Sequence, residues 1–330
     1  MSGKVIFHKS FNSLLLKLKN FDHGHSVAAW EEVPSFGESL GEVQINALEE
    51  VKSSINSELL KPNLSNIAAY DESILELKTL EGTLRCTTHC CVIQDELRYY
   101  PSGFVSLKYY TSSELVSNKI DNSNEVILTQ DIAYSITKEY IDERREFLVS
   151  QSPDNSLLFI DGSMFSGQST SGNFVLVDEL QKKRTFPVFF VKNSDSTIIR
   201  DNYEAASLFH SDLHWAHATL KQGERSQLFQ YQSKEGRSKV MCFLKIFESR
   251  SPVRIEFPYQ LFKQGVYPEN IFEIIYYQFL ANGYGSNIQP KIIVEKLLGD
   301  GSNLPKDYKF QCFNQNGKIK MFIQIDEGRF

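Results

Sequence analysis

A chain of 330 residues with 41% apolar residues and a net charge of −6 is long enough to bury one large α/β core or two smaller ones. Its acidic balance excludes a protein that coats DNA non-specifically with its whole surface. No apolar run approaches the ~18 residues of a membrane span, and Met1-Ser2-Gly3-Lys4 leads into no signal-peptide core, so a cytoplasmic protein is expected. The five cysteines (Cys86, Cys90, Cys91, Cys242 and Cys312) are odd in number and lack paired Cys-x-x-Cys spacing, which indicates neither a disulfide framework nor a zinc site.

Residues 1–60 read as an N-terminal helical extension. Phe11–Leu18 forms helix readily, and from Leu40 to Leu60 the positions Val43, Ile45, Leu48, Val51 and Ile55 fall at helical spacing. Such a face either packs on the core or docks a partner. Residues 61–330 then read as one α/β domain. From Asn66 to Tyr110 the pattern is a meander of strands, in which Cys90-Cys91 marks a buried strand and His89 is expected to be a satisfied strand histidine. Within it, Ile67-Ala68-Ala69-Tyr70 runs into Asp71-Glu72-Ser73, a short apolar strand ending in an acid. Residues 111–150 read mostly as helix, and Tyr140–Leu148 carries Glu143, with Glu146 as its rival one turn later.

The next strand repeats the grammar of the first. Leu157-Leu158-Phe159-Ile160 delivers Asp161 into Gly162-Ser163. Asp-Gly is also ordinary turn chemistry, so one such strand means little; two strand-end aspartates and a helical glutamate mean more. Together they are the ingredients for one or two hard divalent cations, Mg²⁺ or Mn²⁺, which prefer carboxylate oxygen and retain water. A cluster of this kind activates a water and neutralises charge on a phosphodiester. Val188–Val191 is a further strand, and Lys192 at its end brings an ammonium where it steadies a scissile phosphate.

His210, His214 and His217 recur at three- to four-residue spacing, but the His-Glu-x-x-His signature is absent and they read as a surface or packing face. Of the basic positions Lys182, Lys183, Arg184, Lys192, Arg200, Arg225, Arg237 and Arg254, Lys192 and Arg225 are the best candidates for contact with nucleic acid. No Gly-rich phosphate loop is present, so the chain itself is not expected to hydrolyse ATP.

In order along the chain stand the Asp71 strand, the Glu143 helix, the Asp161 strand, Phe190–Ser196, Gly223-Glu224-Arg225-Ser226, Val253–Pro258 and a helix start at Gly283-Tyr284. In this order, from Asn66 to Lys296, the chain resembles the NurA nucleases. The resemblance implies an RNase H-like (Piwi-like) mixed central sheet flanked by helices. It also implies a divalent-metal-dependent deoxyribonuclease, a 5′–3′ exonuclease and single-strand endonuclease, that uses Mn²⁺ or Mg²⁺. Asp71, Glu143 and Asp161 are then the metal-binding carboxylates and Lys192 the counter-charge. A homodimer and a partner, a HerA-type hexameric ATPase that feeds DNA, are implied too, in DNA end processing or in defence against phage.

The chain departs from the family pattern in two places. Asp71-Glu72-Ser73 replaces the usual Asp-Gly-Ser, and Lys291 stands where a histidine ligand is usual. An ammonium does not coordinate a cation, so Glu295, four residues on, is the substitute ligand. Two other classes compete: a catalytically degenerate subunit that clamps DNA, and an α/β metal-dependent phosphohydrolase acting on small molecules.

Overall fold

The computed structural model describes residues 44–49, 52–55, 67–78, 80–95, 98–114, 126–165, 169–192, 194–233, 236–248, 250–282, 308–315 and 318–325. Its frame is a mixed sheet built around five strands. β3 (Ile67–Lys78), β4 (Thr83–Asp95) and β5 (Arg98–Thr111) form an antiparallel meander, and β6 (Val126–Leu128) pairs with β5 in parallel. Helix α1 (Ile132–Gln151) then crosses over to β7 (Ser156–Asp161), which lies parallel to β3 on the side away from β4. A second crossover through α2 (Thr170–Lys182) sets β8 (Thr185–Val191) parallel to β7. The spatial order β5-β4-β3-β7-β8, with β4 alone antiparallel to its neighbours in the central set, is an RNase H-like topology.

The remaining strands extend this sheet past β8. Between them and β8 lie two short helices, α3 (Ile198–Asn202) and α4 (Asp212–Thr219). β9 (Glu224–Arg225), β10 (Phe229–Gln232), β11 (Ser238–Leu244) and β12 (Val253–Pro258) follow, with β12 antiparallel to β8 and β11 antiparallel to both β12 and β10. Helices α5 (Tyr259–Lys263) and α6 (Ile271–Asn282) come next, and a separate hairpin of β13 (Tyr308–Gln315) and β14 (Lys318–Ile325) ends the described chain. No helix among the described residues is long and apolar enough to cross a membrane.

The helical reading of residues 40–60 does not hold where the chain is described. β1 (Gln44–Ala47) pairs with β10 and β2 (Ser53–Ser54) pairs with β9, so this segment joins the main sheet. The sequence Gln44-Ile45-Asn46-Ala47 also alternates polar with apolar residues, and the edge of β10 offers unpaired backbone groups that a neighbouring strand satisfies. Residues 1–43, including Phe11–Leu18, lie outside the described residues.

Sequence accounts for the layers. β7 is buried along Ser156–Ile160 because both faces of the sheet are covered there, as parallel strands require. Each fully buried Leu158 or Ile160 side chain contributes ~2 kcal/mol of apolar burial. On one face lie α1 and α2: the Arg144 guanidinium sits 5.4 Å from the Tyr70 ring centroid, and α1 meets α2 through Ile141 and Gly172. On the other face Phe257 packs on Phe262, Tyr267 and Phe272, and Phe190 packs on Phe279, so α5 and α6 close that side. Helix α1 starts at Asp131, whose side chain accepts the Tyr134 N–H at 2.9 Å, and it presents Ile136, Arg144, Phe147 and Leu148 inward.

Candidate active site

Parallel pairing brings the two aspartates together, but only Asp161 ends its strand: β3 runs on past Asp71 to Lys78 because β4 pairs with it along that whole length, so the reading of Asp71 as a strand end gives way. Tyr70 is in register with Ile160, so Asp71 and Asp161 are the next residue on each of two neighbouring strands. Strand side chains alternate with period two, so both carboxylates fall on the face that carries Phe159, Phe190 and helix α6. Adjacent strands are ~4.8 Å apart, a separation at which two carboxylates reach a common cation. Asp71 is buried, and its Oδ1 accepts the Glu72 N–H at 2.8 Å. Asp161 is more open, and its Oδ2 lies 2.9 Å from Lys192 Nζ. Lys192 follows β8, the strand beside β7, as the strand-end reading of its position expected.

The turn after Asp161 has its own geometry. Gly162 has φ +115°, a backbone that side chains rarely adopt, and a Cβ there would meet open space. Its N–H donates to Phe190 O at 2.8 Å, tying the turn to β8. Ser163 Oγ then donates to the Glu256 carboxylate at 3.1 Å, and the Met164 N–H donates to Glu256 Oε2 at 2.8 Å. Glu256 is fully buried, 2.5 Å from Lys239 Nζ and 2.8 Å from Arg254 Nε. Burial would raise its carboxyl, but Lys239 and Arg254 outweigh that and hold it below the ordinary value. Two cations share one carboxylate here, and the excess falls on the lysine. Burial, with Arg254 nearby, brings Lys239 down to about 8 in spite of Glu256. An acid inside the apolar strand Val253–Pro258 was the sequence signal of this cluster; Lys239 gave none.

Glu143 stands elsewhere. It is on α1, over the face that carries Tyr70 and Glu72, whereas Asp71 points to the opposite face. Its Oε1 is 2.8 Å from Lys108 Nζ, its Oε2 accepts Ser106 Oγ–H at 2.9 Å, and His89 Nε2 is 3.9 Å away. Burial alone would raise its carboxyl, but His89, Lys108 and Ser106 together pull it down to about 2. Glu146 is exposed on the same helix. Among the described residues, no group of three or more His, Cys, Asp and Glu is arranged to hold a metal ion. The structure therefore joins Asp71 with Asp161 and Lys192, and sets Glu143 apart from them.

Glu72 points with Tyr70 toward α1. It accepts hydrogen bonds from the hydroxyls of Tyr70 and Tyr140, and Arg144 Nε lies 3.6 Å from its Oε2. His89 is fully buried; its Nδ1 meets Tyr70 OH at 2.6 Å, while its Nε2 has no hydrogen-bond partner.

Arg225 does not offer its charge to a ligand. It is buried, it binds both oxygens of Glu49 at 2.5 and 2.9 Å, and it stacks 4.5 Å from the Phe272 centroid. The reading of Arg225 as a nucleic-acid contact gives way to that of a bolt between the β2–β9 edge and α6, because a desolvated guanidinium requires a paired carboxylate. Arg254 is likewise committed to Glu256, and Lys183 donates to Val149 O and Ser152 O. The α4 histidines stay in packing roles: His214 lies edge-on to Phe209, and His217 meets Lys245. Gly283, Tyr284, Lys291 and Glu295 lie outside the described residues, so the substitute-ligand expectation for Glu295 stands as an expectation.

No protein-family model and no curated protein sequence matches the chain. Among solved structures it is similar to the NurA nuclease from Sulfolobus solfataricus, at 12% identity over 78% of this chain and 90% of that one, with a TM-score of 0.45. It is also similar to Ciona intestinalis endonuclease V in complex with a 24mer DNA containing inosine, at 12% identity over 70% and 80% of the two chains, with a TM-score of 0.34. Another NurA structure matches at 8% identity over 79% and 94%, with a TM-score of 0.34.

Proposed function

We propose that this protein is a divalent-metal-dependent deoxyribonuclease of the NurA type, with Asp71 and Asp161 as its cation-binding pair. The observation that supports this best is their placement one residue past a paired register on neighbouring parallel strands, side by side on one face, with the Lys192 ammonium 2.9 Å from Asp161. Two carboxylates on neighbouring strands, one within β3 and one at the end of β7, suit a hard cation that keeps several of its waters, so the donor set fits Mg²⁺ or Mn²⁺. Such a cation supplies a water nucleophile at neutral pH and offsets the charge that builds on a phosphodiester.

The protein's own groups do the rest. Asp71, buried and braced by the Glu72 N–H, is the fixed partner; Asp161, at the mouth of the turn, is the one whose charge Lys192 now balances. A phosphate entering beside Asp161 meets an ammonium already in position, and Lys192 transfers its pairing from the carboxylate to the phosphate oxygens. The side-chain-free Gly162 lets a DNA backbone approach the turn closely. Glu295, or a second subunit, completes the ligand set in this reading. DNA is delivered by a HerA-type hexameric ATPase to a homodimer, in end processing or anti-phage defence.

The test uses the purified full chain with linear DNA and Mn²⁺. Asp161→Asn and Asp71→Asn each keep side-chain shape while removing charge, and each should lower cleavage by at least about a hundredfold with the circular dichroism spectrum unchanged. Cleavage at the parental rate by both variants would place the chemistry elsewhere.

A second reading is favoured by one feature, the pairing of two of the expected ligand acids with lysines: Asp161 with Lys192, and Glu143, away from the site, with Lys108. It is a degenerate NurA-like subunit that clamps DNA. Binding of single-stranded DNA without any Mn²⁺-dependent cleavage would establish it.

A further inference from the structure

Behind the two aspartates, on the face that α1 and α2 cover, a buried polar chain links the middle of β3 to the turn after β7. It begins at Glu72, the residue after Asp71, whose carboxylate receives the two tyrosine hydroxyls and lies 3.6 Å from Arg144 Nε. The Arg144 guanidinium also covers the Tyr70 ring. In the other direction Arg144 Nη1 donates to Asn173 Oδ1 at 2.7 Å. The Asn173 amide then donates to Ser163 O at 3.3 Å and to Met164 O at 2.9 Å, the two residues that follow the Asp161-Gly162 turn. Glu256 holds the same two residues through Ser163 Oγ and the Met164 N–H. Arg144 and Asn173 are 6% and 2% exposed, so solvent does not supply substitutes for these bonds.

We propose that Arg144 is a positioning residue that sets the separation of Asp71 and Asp161, and thereby the affinity of the pair for a divalent cation. This rests on the reading of the two aspartates as the cation-binding pair. The chemistry is specific to a guanidinium: a planar fork reaches a carboxylate on one strand and an amide on another helix at once, which the point charge of a lysine does not. Stability alone is a poor reason for it. Replacing a whole buried ion pair by apolar side chains of similar volume often leaves a fold as stable or more so, and here Arg144 Nε makes no hydrogen bond in return for its burial. What the guanidinium does supply is one link, an ion pair to the residue following Asp71 and, through Asn173, hydrogen bonds to the loop following Asp161. Partners at this remove from a cation commonly change its affinity by about 10- to 100-fold.

The experiment measures Mn²⁺ binding to the full chain by calorimetry without DNA, alongside amide hydrogen exchange of the 160–165 segment. Arg144→Met is expected to keep the parental circular dichroism spectrum, to bind Mn²⁺ about 10- to 100-fold more weakly, and to exchange the amides of Gly162 and Met164 faster than the parent. Asn173→Leu, at the loop end of the same chain, should show both effects and serves in its place if Arg144→Met does not fold. The double variant should be no weaker than the weaker single one, because both changes break one link. Parental Mn²⁺ affinity together with parental exchange in Arg144→Met and Asn173→Leu would overturn the proposal. Failure of the underlying reading looks different: Asp71→Asn and Asp161→Asn would then bind Mn²⁺ like the parent. In that case the exchange of residues 160–165 alone decides whether Arg144 holds the loop, and unchanged exchange refutes it.

Discussion

Glu143 keeps its charge far into acid because Lys108, Ser106 and His89 surround it, and the carboxyl titrates at about 2 instead of the ordinary 4.5. A carboxylate whose folded value lies below its unfolded value stabilises the fold above the unfolded value, and that contribution is lost as pH falls through the folded one. The loss attributable to Glu143 therefore lies between about pH 4.5 and 2. Urea unfolding across this range should show a flatter acid limb in Glu143→Gln than in the parent; identical limbs would mean that the carboxylate gains nothing from Lys108 in the fold. The same residue shows what sequence withheld. Its place on a helix before the Asp161 strand was legible from spacing, but its partners, Ser106 and Lys108 on β5 and His89 on β4, are brought to it only by the meander.

The crossing of α1 and α2 depends on a glycine in a helix, a residue that costs about 1 kcal/mol there relative to alanine. At Gly172 an added Cβ would sit 2.2 Å from Ile141 Cγ2, and a β-branched side chain on a helix has little rotamer freedom to retreat. Gly172→Ala should therefore lower stability by about 1–3 kcal/mol despite its better helix propensity. The pair Gly172→Ala with Ile141→Ala should recover most of that loss. A Gly172→Ala protein that melts at or above the parental temperature would show that the helices separate freely. Elements of this kind were only partly readable in advance. The apolar runs of β7 and β8 and the antiparallel meander announced themselves through uninterrupted apolar or strand-forming stretches between turns. β1 and β2 did not, because Val43, Ile45, Leu48, Val51 and Ile55 fit a helical stripe, and only the open edges of β9 and β10 turn that segment into strand.

Over the whole chain, the net charge of −6 conceals how the basic residues are used. Arg225 is bound to Glu49, Lys239 and Arg254 to Glu256, Lys52 to Glu224, and Lys108 to Glu139 and Glu143. Each of these pairs closes a contact between strands, helices or edges, so counting cations along the sequence overstates what a polyanion meets. Alternation and register explain why Asp71 and Asp161 were readable as a pair: each ends the same short apolar pattern, and parallel strands set like positions side by side. Lys192 differs from Arg225 in where it stands, after β8 and beside the more open aspartate, with its partner Asp161 one that a bound cation would occupy. That difference has a measurable consequence in the salt dependence of binding to single-stranded DNA, followed by fluorescence anisotropy with Ca²⁺ in place of Mn²⁺. Each phosphate neutralised by a lysine or arginine adds about 0.7 to the slope of log K against log salt on a single strand. Lys192→Met should weaken binding and lower the slope by about that one contact. Arg225→Met removes the same formal charge from a position pinned to Glu49, so it should leave the slope as it was and lower the unfolding temperature instead. If the two variants exchanged these behaviours, with the slope falling for Arg225→Met and unmoved for Lys192→Met, the DNA path would run along the β2–β9 edge and the strand-end lysine would serve only to balance Asp161.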